Sequence, residues 1–115
     1  MQKDHPELAQ KLEQELRRGV LMLAVLSQLK KHEYGYSLRQ LLAAKGMPIE
    51  EGTLYPLLRR MEEQGLLTSE WKIEDGPPRR YYERNANGDR VLKEMTGTWR
   101  ALVATVEILM TEGAP

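Results

Sequence analysis

The sequence predicts a mostly α-helical chain with a small β-hairpin and a long closing helix, arranged as a winged helix-turn-helix. Three observations support this fold class. Apolar residues recur every three or four positions in several segments, which is the period of helices buried on one face. From residue 67 the period changes to two around an Asp-Gly-Pro-Pro turn, as in a hairpin. After residue 85 the helical period returns and continues almost to the end of the chain.

The composition is that of a soluble protein with a single domain. The chain has 115 residues, of which 41% are hydrophobic and 30% are charged. It has no cysteine, which excludes disulfides and thiolate metal sites. No apolar run is long enough for a membrane span, and the first ten residues, MQKDHPELAQ, do not resemble a secretory signal. A cytoplasmic protein is therefore expected.

The net charge neither requires nor excludes a nucleic-acid partner. Lys plus Arg and Asp plus Glu both number 17, and the pI is about 6.7. A bulk basic charge, the usual footprint of a DNA-binding domain, is absent. Any binding to DNA must therefore depend on where the charges lie.

The first part of the chain predicts a tail followed by a helix that becomes deeply buried. Pro6 suits the first position of a helix, and leucines then repeat at every fourth residue. The segment VLMLAVLSQL, residues 20–29, is apolar nearly all round, so it is expected to be buried on several sides. The repeating leucines are Leu8, Leu12 and Leu16.

A second helix is predicted after the segment HEYGYS, residues 32–37. We expect this segment to form a tight connection built on Gly35, and Ser37 to cap the helix that follows. Gly46 and Pro48 would end that helix. A further helix follows after a short link, which is helix-turn-helix geometry.

The third helix lies within EGTLYPLLRRMEEQGLL, residues 51–67. Gly52 or Thr53 would cap it, which places Pro56 in the first turn, where little hydrogen bonding is lost. Gly65 suits the left-handed position just beyond the end. The apolar residues form one buried stripe, namely Leu54, Leu57, Leu58 and Met61. The exposed N-terminal half carries side chains that can contact bases and phosphates, namely Thr53, Tyr55, Pro56, Arg59 and Arg60.

A hairpin and a closing helix complete the predicted fold. The hairpin would place Tyr82 in the core and basic residues beside its tip, namely Lys72, Arg79 and Arg80. Asn85 would cap the closing helix. That helix carries a heptad-like seam too short for an independent coiled coil, so it needs a partner surface. The seam residues are Leu92, Met95, Trp99, Leu102, Val106 and Leu109.

Three motifs resemble the PadR family of bacterial transcriptional regulators, in its short form with one C-terminal dimerisation helix. They are YGYSL (residues 34–38), the segment 51–67 quoted above and GPPRRYY (residues 76–82). The resemblance covers roughly residues 15–110. One departure is the pair Arg84-Asn85, where members of the family usually have Leu-Thr.

The resemblance implies a dimeric repressor that binds double-stranded operator DNA and, as in many members, releases it on binding a small molecule. Three regions follow from it: an N-terminal tail or helix (1–14), a winged helix-turn-helix DNA-binding domain (15–84) and a dimerisation helix (85–112). The recognition helix would run from Thr53 to Gln64, and the wing from Leu67 to Glu83. The predicted DNA contacts are Tyr36, Ser37, Thr53, Tyr55, Pro56, Arg59, Arg60, Lys72, Arg79 and Arg80.

Several of these residues have a plainer interpretation. The exposed face of the third helix and the hairpin arginines could be ordinary solvated surface, and Ser37 could serve only as a helix cap. Trp99 could be a dimer-core residue. Alternatively, two Trp99 side chains near a two-fold axis could stack on a planar aromatic effector, in a site completed by Leu8, Leu12 and Met95.

Other functional classes find little support in the sequence. His5 and His32 are far apart and poorly accompanied, so no metal site is expected. No nucleophile–base arrangement or phosphate-binding glycine loop is present, so neither an enzyme nor a cofactor is predicted. The competing function is a winged-helix module that binds protein rather than DNA, which the neutral net charge and the pair Glu62-Glu63 leave open.

Overall fold

A computed structural model describes residues 6–31 and 33–112, which form four helices and a three-stranded antiparallel sheet. The strands lie in the order β1-β3-β2. This confirms the predicted fold class, a winged helix-turn-helix with a long closing helix. The elements in chain order are α1 (Pro6–Ser27), β1 (Glu33–Tyr34), α2 (Gly35–Ala44), α3 (Glu51–Glu63), β2 (Leu67–Lys72), β3 (Arg79–Arg84) and α4 (Ala86–Glu112).

The core lies where the three shorter helices and the hairpin meet. The predicted apolar stripe of α3 is buried, and Tyr82 of β3 faces the core, both as expected. Burial of these apolar side chains is the main favourable contribution to folding. The buried residues are Val25, Leu26, Leu29, Leu38, Leu42, Ile49, Leu54, Leu57, Leu58, Met61, Leu66, Leu67 and Tyr82.

Helix α1 begins at Pro6 and continues without a break through the apolar segment. Its N-terminal part, from Pro6 to Gly19, is exposed, whereas Val25 and Leu26 near its end are fully buried. The helix therefore crosses residues 14 and 15, where the sequence suggested a regional boundary.

A short strand replaces the tight connection predicted around Gly35. Tyr34 pairs with Tyr81, and Glu33 with Tyr82, so β1 adds a third strand to the predicted hairpin. Gly35 is the first residue of α2 and does not adopt a left-handed conformation. The prediction of a turn at this position was wrong.

The start of α2 also differs from the prediction. The helix begins at Gly35, so Ser37 lies inside its first turn and is not the cap residue. The Ser37 hydroxyl accepts the backbone N–H of Tyr34 at 3.2 Å and lies within hydrogen-bonding distance of the Glu33 carboxylate. Ser37 therefore stabilises the helix start from within.

Helix α3 starts two residues earlier than predicted. Its cap is Glu50, whose backbone carbonyl accepts the N–H groups of Thr53 and Leu54. Pro56 is consequently the sixth helical residue and lies in the second turn, so the predicted first-turn position was wrong. Pro56 cannot donate to the carbonyl of Gly52, but Gly52 is exposed and water can satisfy that carbonyl.

The predicted end of α3 is confirmed. Gly65 has a φ of 82°, and its N–H donates to the Glu62 carbonyl at 2.9 Å. The next N–H, of Leu66, donates to the Met61 carbonyl at 3.0 Å. This pair of bonds is the Schellman motif, and it turns the chain directly into β2.

Helix α4 is capped as predicted and packs closely on the α3–β2 junction. The Asn85 side chain accepts the Gly88 N–H at 2.8 Å. Gly88 is buried against the Leu66 carbonyl, at a distance that leaves no room for a β-carbon. Within the described part of the chain, no helix combines the length and apolar character needed to cross a membrane.

Arg84 joins three elements of the fold. It donates to the Leu26 and Ser27 carbonyls at 2.9 and 3.2 Å and to the Asp89 carboxylate at 2.7 Å. The guanidinium thereby satisfies carbonyls at the C-terminal end of α1, where a cation is favoured. The side chain that departs from the family pattern thus has a structural role.

Candidate DNA-binding surface

The outer face of α3 carries exposed polar side chains at helical spacing. Thr53, Pro56, Arg59 and Arg60 are all exposed and lie opposite the buried stripe. Among the described residues, neither arginine forms an ion pair. Both guanidinium groups are therefore available to phosphates or base edges.

Tyr55 is less exposed than the sequence suggested. It is half-buried, packs against the core cluster and lies over Gly35, where a β-carbon would overlap its ring. The prediction that Tyr55 points wholly away from the apolar face was wrong. Glycine at position 35 is thus explained by close packing of α2 on α3, and Tyr55 fixes the relative positions of these two helices.

Tyr36 at the start of α2 reaches solvent on the same side of the molecule. The residue is 53% exposed, and its hydroxyl accepts the Gln40 side-chain N–H at 3.1 Å. Ser37 is half-buried and already bonded to Glu33. Tyr36 is therefore the better placed of the two to meet a phosphate.

The wing presents its basic residues in different ways. Arg79 is exposed, and its guanidinium carbon lies 4.6 Å from the centroid of the Tyr34 ring. A cation–π contact fixes the side chain but leaves its N–H groups free to donate. Lys72 lies 4.9 Å from the Tyr81 ring and 3.7 Å from Glu70, so its charge is partly compensated.

Arg80 is directed toward α3 and is engaged there. Its Nη2 donates to Glu62 Oε1 at 2.8 Å, and its Nε donates to the Ser69 hydroxyl at 3.0 Å. Ser69 in turn donates to Glu62 Oε2 at 2.6 Å. This closed network attaches the hairpin to α3 and neutralises the charge of Glu62.

A cavity of about 410 Å³ separates α3 from the wing. The sequence did not single out Trp71 as a member of this surface, although it pairs with Arg80 in the hairpin and is 64% exposed. The cavity is lined by Tyr34, Gly35, Tyr36, Tyr55, Arg59, Trp71, Arg79, Arg80 and Tyr82.

The Tyr82 hydroxyl at this cavity is neutral. Burial raises the pKa of Tyr82, and the positive charge of Arg80 only partly opposes that effect.

The closing helix exposes most of its predicted seam. Leu102 is 55% exposed and Trp99 42% exposed, whereas Leu92 packs partly on the protein's own core. Val103 and Met110 are also exposed, beside the seam, and widen it. Leu8 and Leu12 of α1 are exposed as well.

Metal binding finds no support in the described residues. Within residues 6–31 and 33–112, no group of His, Asp and Glu side chains is arranged to hold an ion. The two histidines considered from the sequence, His5 and His32, lie outside the described residues.

Comparison with known proteins shows which family the chain belongs to. Residues 22–94 match the Transcriptional regulator PadR-like family. The chain belongs to this family. It is 38% identical over 81 residues to the transcriptional regulator Rv3488 of Mycobacterium tuberculosis, a match that covers 70% of this chain and 76% of that protein.

Solved structures agree with this assignment. A PadR family transcriptional regulator from Eggerthella lenta has a TM-score of 0.86 and 47% identity, with 91% of this chain and 94% of that chain covered. A PadR-like transcriptional regulator from Bacillus cereus has a TM-score of 0.73 and 32% identity, with coverages of 84% and 96%. The family is one of transcriptional regulators rather than enzymes, which confirms the resemblance found in the sequence.

Proposed function

We propose that this PadR-like regulator is a dimeric repressor that inserts α3 into the major groove of operator DNA and leaves it when an effector binds. The observation that carries this proposal is the outer face of α3, where Arg59 and Arg60 are exposed and without ion-pair partners among the described residues. Tyr36 and Arg79 flank that face from α2 and the wing. A helix fits the major groove, and flanking basic and hydroxyl groups bind phosphates.

The placement of charge supports entry of only the first two turns of α3. Glu62, near the C-terminal end, is neutralised by Arg80, but the neighbouring Glu63 is exposed. A carboxylate deep in the groove would be repelled by phosphates. Thr53, Tyr55, Pro56 and Arg59 all precede this acidic end, so docking by the N-terminal half keeps Glu63 out of the groove.

Dimerisation and effector release belong to the same proposal. The exposed seam of α4 would pair with a second copy, and the exposed Leu8 and Leu12 would lie beside it. Two Trp99 side chains near the axis, with Met95 below them, would accept a planar aromatic effector. A repressor acts where the operator DNA lies, which places the proposed action in the bacterial cytoplasm.

Arg59→Ala should weaken operator binding by about 1–3 kcal/mol, the usual value of a base-reading contact. The fold should be unaffected because the side chain is exposed. The measurement is a gel shift with a duplex selected from a random pool, repeated over a range of salt concentrations. Arg90→Ala is the matched control, since Arg90 is an exposed arginine on α4.

Unchanged affinity of the Arg59 variant would contradict the assignment of this face. The competing function, a winged-helix module that binds protein, predicts that no duplex is retained specifically. It also predicts no systematic salt dependence, whereas a DNA-binding protein loses affinity with a slope of about −0.9 per phosphate neutralised.

The two wing arginines should give different results. Arg79→Ala should weaken binding to all duplexes alike and reduce the salt slope by about one unit, as expected when a phosphate contact is lost. Arg80→Ala should instead destabilise the fold by about 1 kcal/mol, since it leaves Glu62 without its partner. Salt-dependent gel shifts and urea denaturation of both variants distinguish these outcomes. A salt slope reduced equally in both variants would show that Arg80 also reaches the DNA, whereas an unchanged slope in both would show that neither arginine contacts a phosphate.

A further inference from the structure

A second, larger cleft lies away from the surface just described. It has a volume of about 730 Å³ and opens between the end of α1, the end of β3 and the first half of α4. Leu92 and Gly97 of α4 line it, and a β-carbon at Gly97 would meet open space. None of the residues assigned to DNA binding or to the Trp99 site lines this cleft. Leu92, the first residue of the proposed seam, does line it, and it packs partly on the protein's own core.

The cleft has a strong excess of positive charge in a protein whose formal net charge is zero. Its lining includes Lys30, Arg84, Lys93 and Arg100, with Asp89 as the single carboxylate among the residues that the structure describes. Arg84 already neutralises Asp89 through the 2.7 Å contact. The other three cations form no ion pair with any described residue.

Three uncompensated cations around one concavity repel each other and attract an anion. Low-dielectric walls on such a cleft strengthen the field within it. The cations come from separate parts of the chain, since Lys30 follows α1 whereas Lys93 and Arg100 lie two turns apart on α4. Side chains from two directions can surround a compact ligand that carries several negative charges.

We propose that this cleft binds a small organic phosphate. The three free cations would hold the phosphate oxygens, with Arg100 able to bind two of them at once. The apolar wall formed by Leu92 and the space beside Gly97 would accommodate the organic part. The ligand would contact both the winged-helix part of the chain and α4, and could therefore act as an effector. That effector role rests on the proposed function, whereas binding of the ligand does not.

Isothermal titration of the full chain with inorganic pyrophosphate tests the anion site, at constant ionic strength set with chloride. The double variant Lys93→Gln with Arg100→Gln should bind pyrophosphate at least about tenfold more weakly, because two charge-assisted contacts are lost. Both side chains are exposed, so the fold is preserved. When pyrophosphate is added to the unsubstituted protein, the changes in amide chemical shift in NMR spectra should cluster at Gly97 and at the end of β3.

A second double variant, Lys11→Gln with Arg90→Gln, has the same change in net charge at exposed positions outside the cleft and should keep its pyrophosphate affinity. If both double variants lost pyrophosphate affinity equally, the loss would be caused by the change in net charge, and the proposal would be overturned. The proposal would also be overturned if the changes in amide chemical shift were confined to α3 and the wing, because pyrophosphate would then be imitating DNA phosphates. If the unsubstituted protein binds pyrophosphate but retains no duplex, that result would count against the proposed function alone.

Discussion

Replacing Gly88 with alanine should destabilise the protein by roughly 1–3 kcal/mol, the usual cost of overpacking. Within a helix the same change normally stabilises by about 1 kcal/mol, so the expected sign is reversed. The reason is that the new β-carbon would overlap the backbone carbonyl of Leu66. That carbonyl also accepts the Asn85 N–H at 3.2 Å, so moving it would disturb the cap of α4.

Gly97→Ala provides the matched control on the same helix. Apart from the backbone of the helix itself, no heavy atom lies within 4 Å of a β-carbon at this position, so stability should stay constant or rise by up to about 1 kcal/mol. Urea denaturation at one fixed protein concentration measures both variants, since the stability of a dimer depends on concentration. If Gly88→Ala is as stable as Gly97→Ala, α4 does not pack on the α3–β2 junction as described.

The features predicted correctly from the sequence were those determined by neighbouring residues. The buried stripe of α3 follows from helical spacing, and Gly65 follows from the left-handed position that ends a helix. The strand β1 was missed because two residues carry no periodicity, and because their pairing with β3 joins positions almost fifty residues apart. Gly35 was misinterpreted for a similar reason, since the ring that requires a glycine there belongs to Tyr55, twenty residues later.

The candidate surface shows the same limit. Arg79 and Arg80 are adjacent and chemically identical, so the sequence assigned them one role. They lie on opposite faces of the hairpin, and only Arg80 meets Glu62. The sequence offered a faint signal in the alternation of side chains along a strand, but the partner that decides the role of Arg80 comes from another element. Charge alone therefore could not separate a phosphate contact from a structural ion pair.

Leu102→Arg should convert a proposed dimer into monomers and reduce operator affinity roughly 10²-fold or more, as expected when two linked contacts become independent. Leu102 lies mid-seam and is 55% exposed in the single chain, so the substitution costs the isolated protomer little. In a dimer it would bury an unpaired charge, which strongly disfavours association. Sedimentation and gel shift on a palindromic operator measure the two effects.

Ala104→Arg is the control for added charge on the same helix. Ala104 is exposed and lies on the side of α4 opposite Leu102, so this variant should remain dimeric and bind normally. A two-fold pair would place the two copies of α3 about one DNA turn, roughly 34 Å, apart, and only a dimer can span both half-sites. If Leu102→Arg stays dimeric with full operator affinity, the interface lies outside the seam, and the exposed apolar surface of α4 requires a different partner.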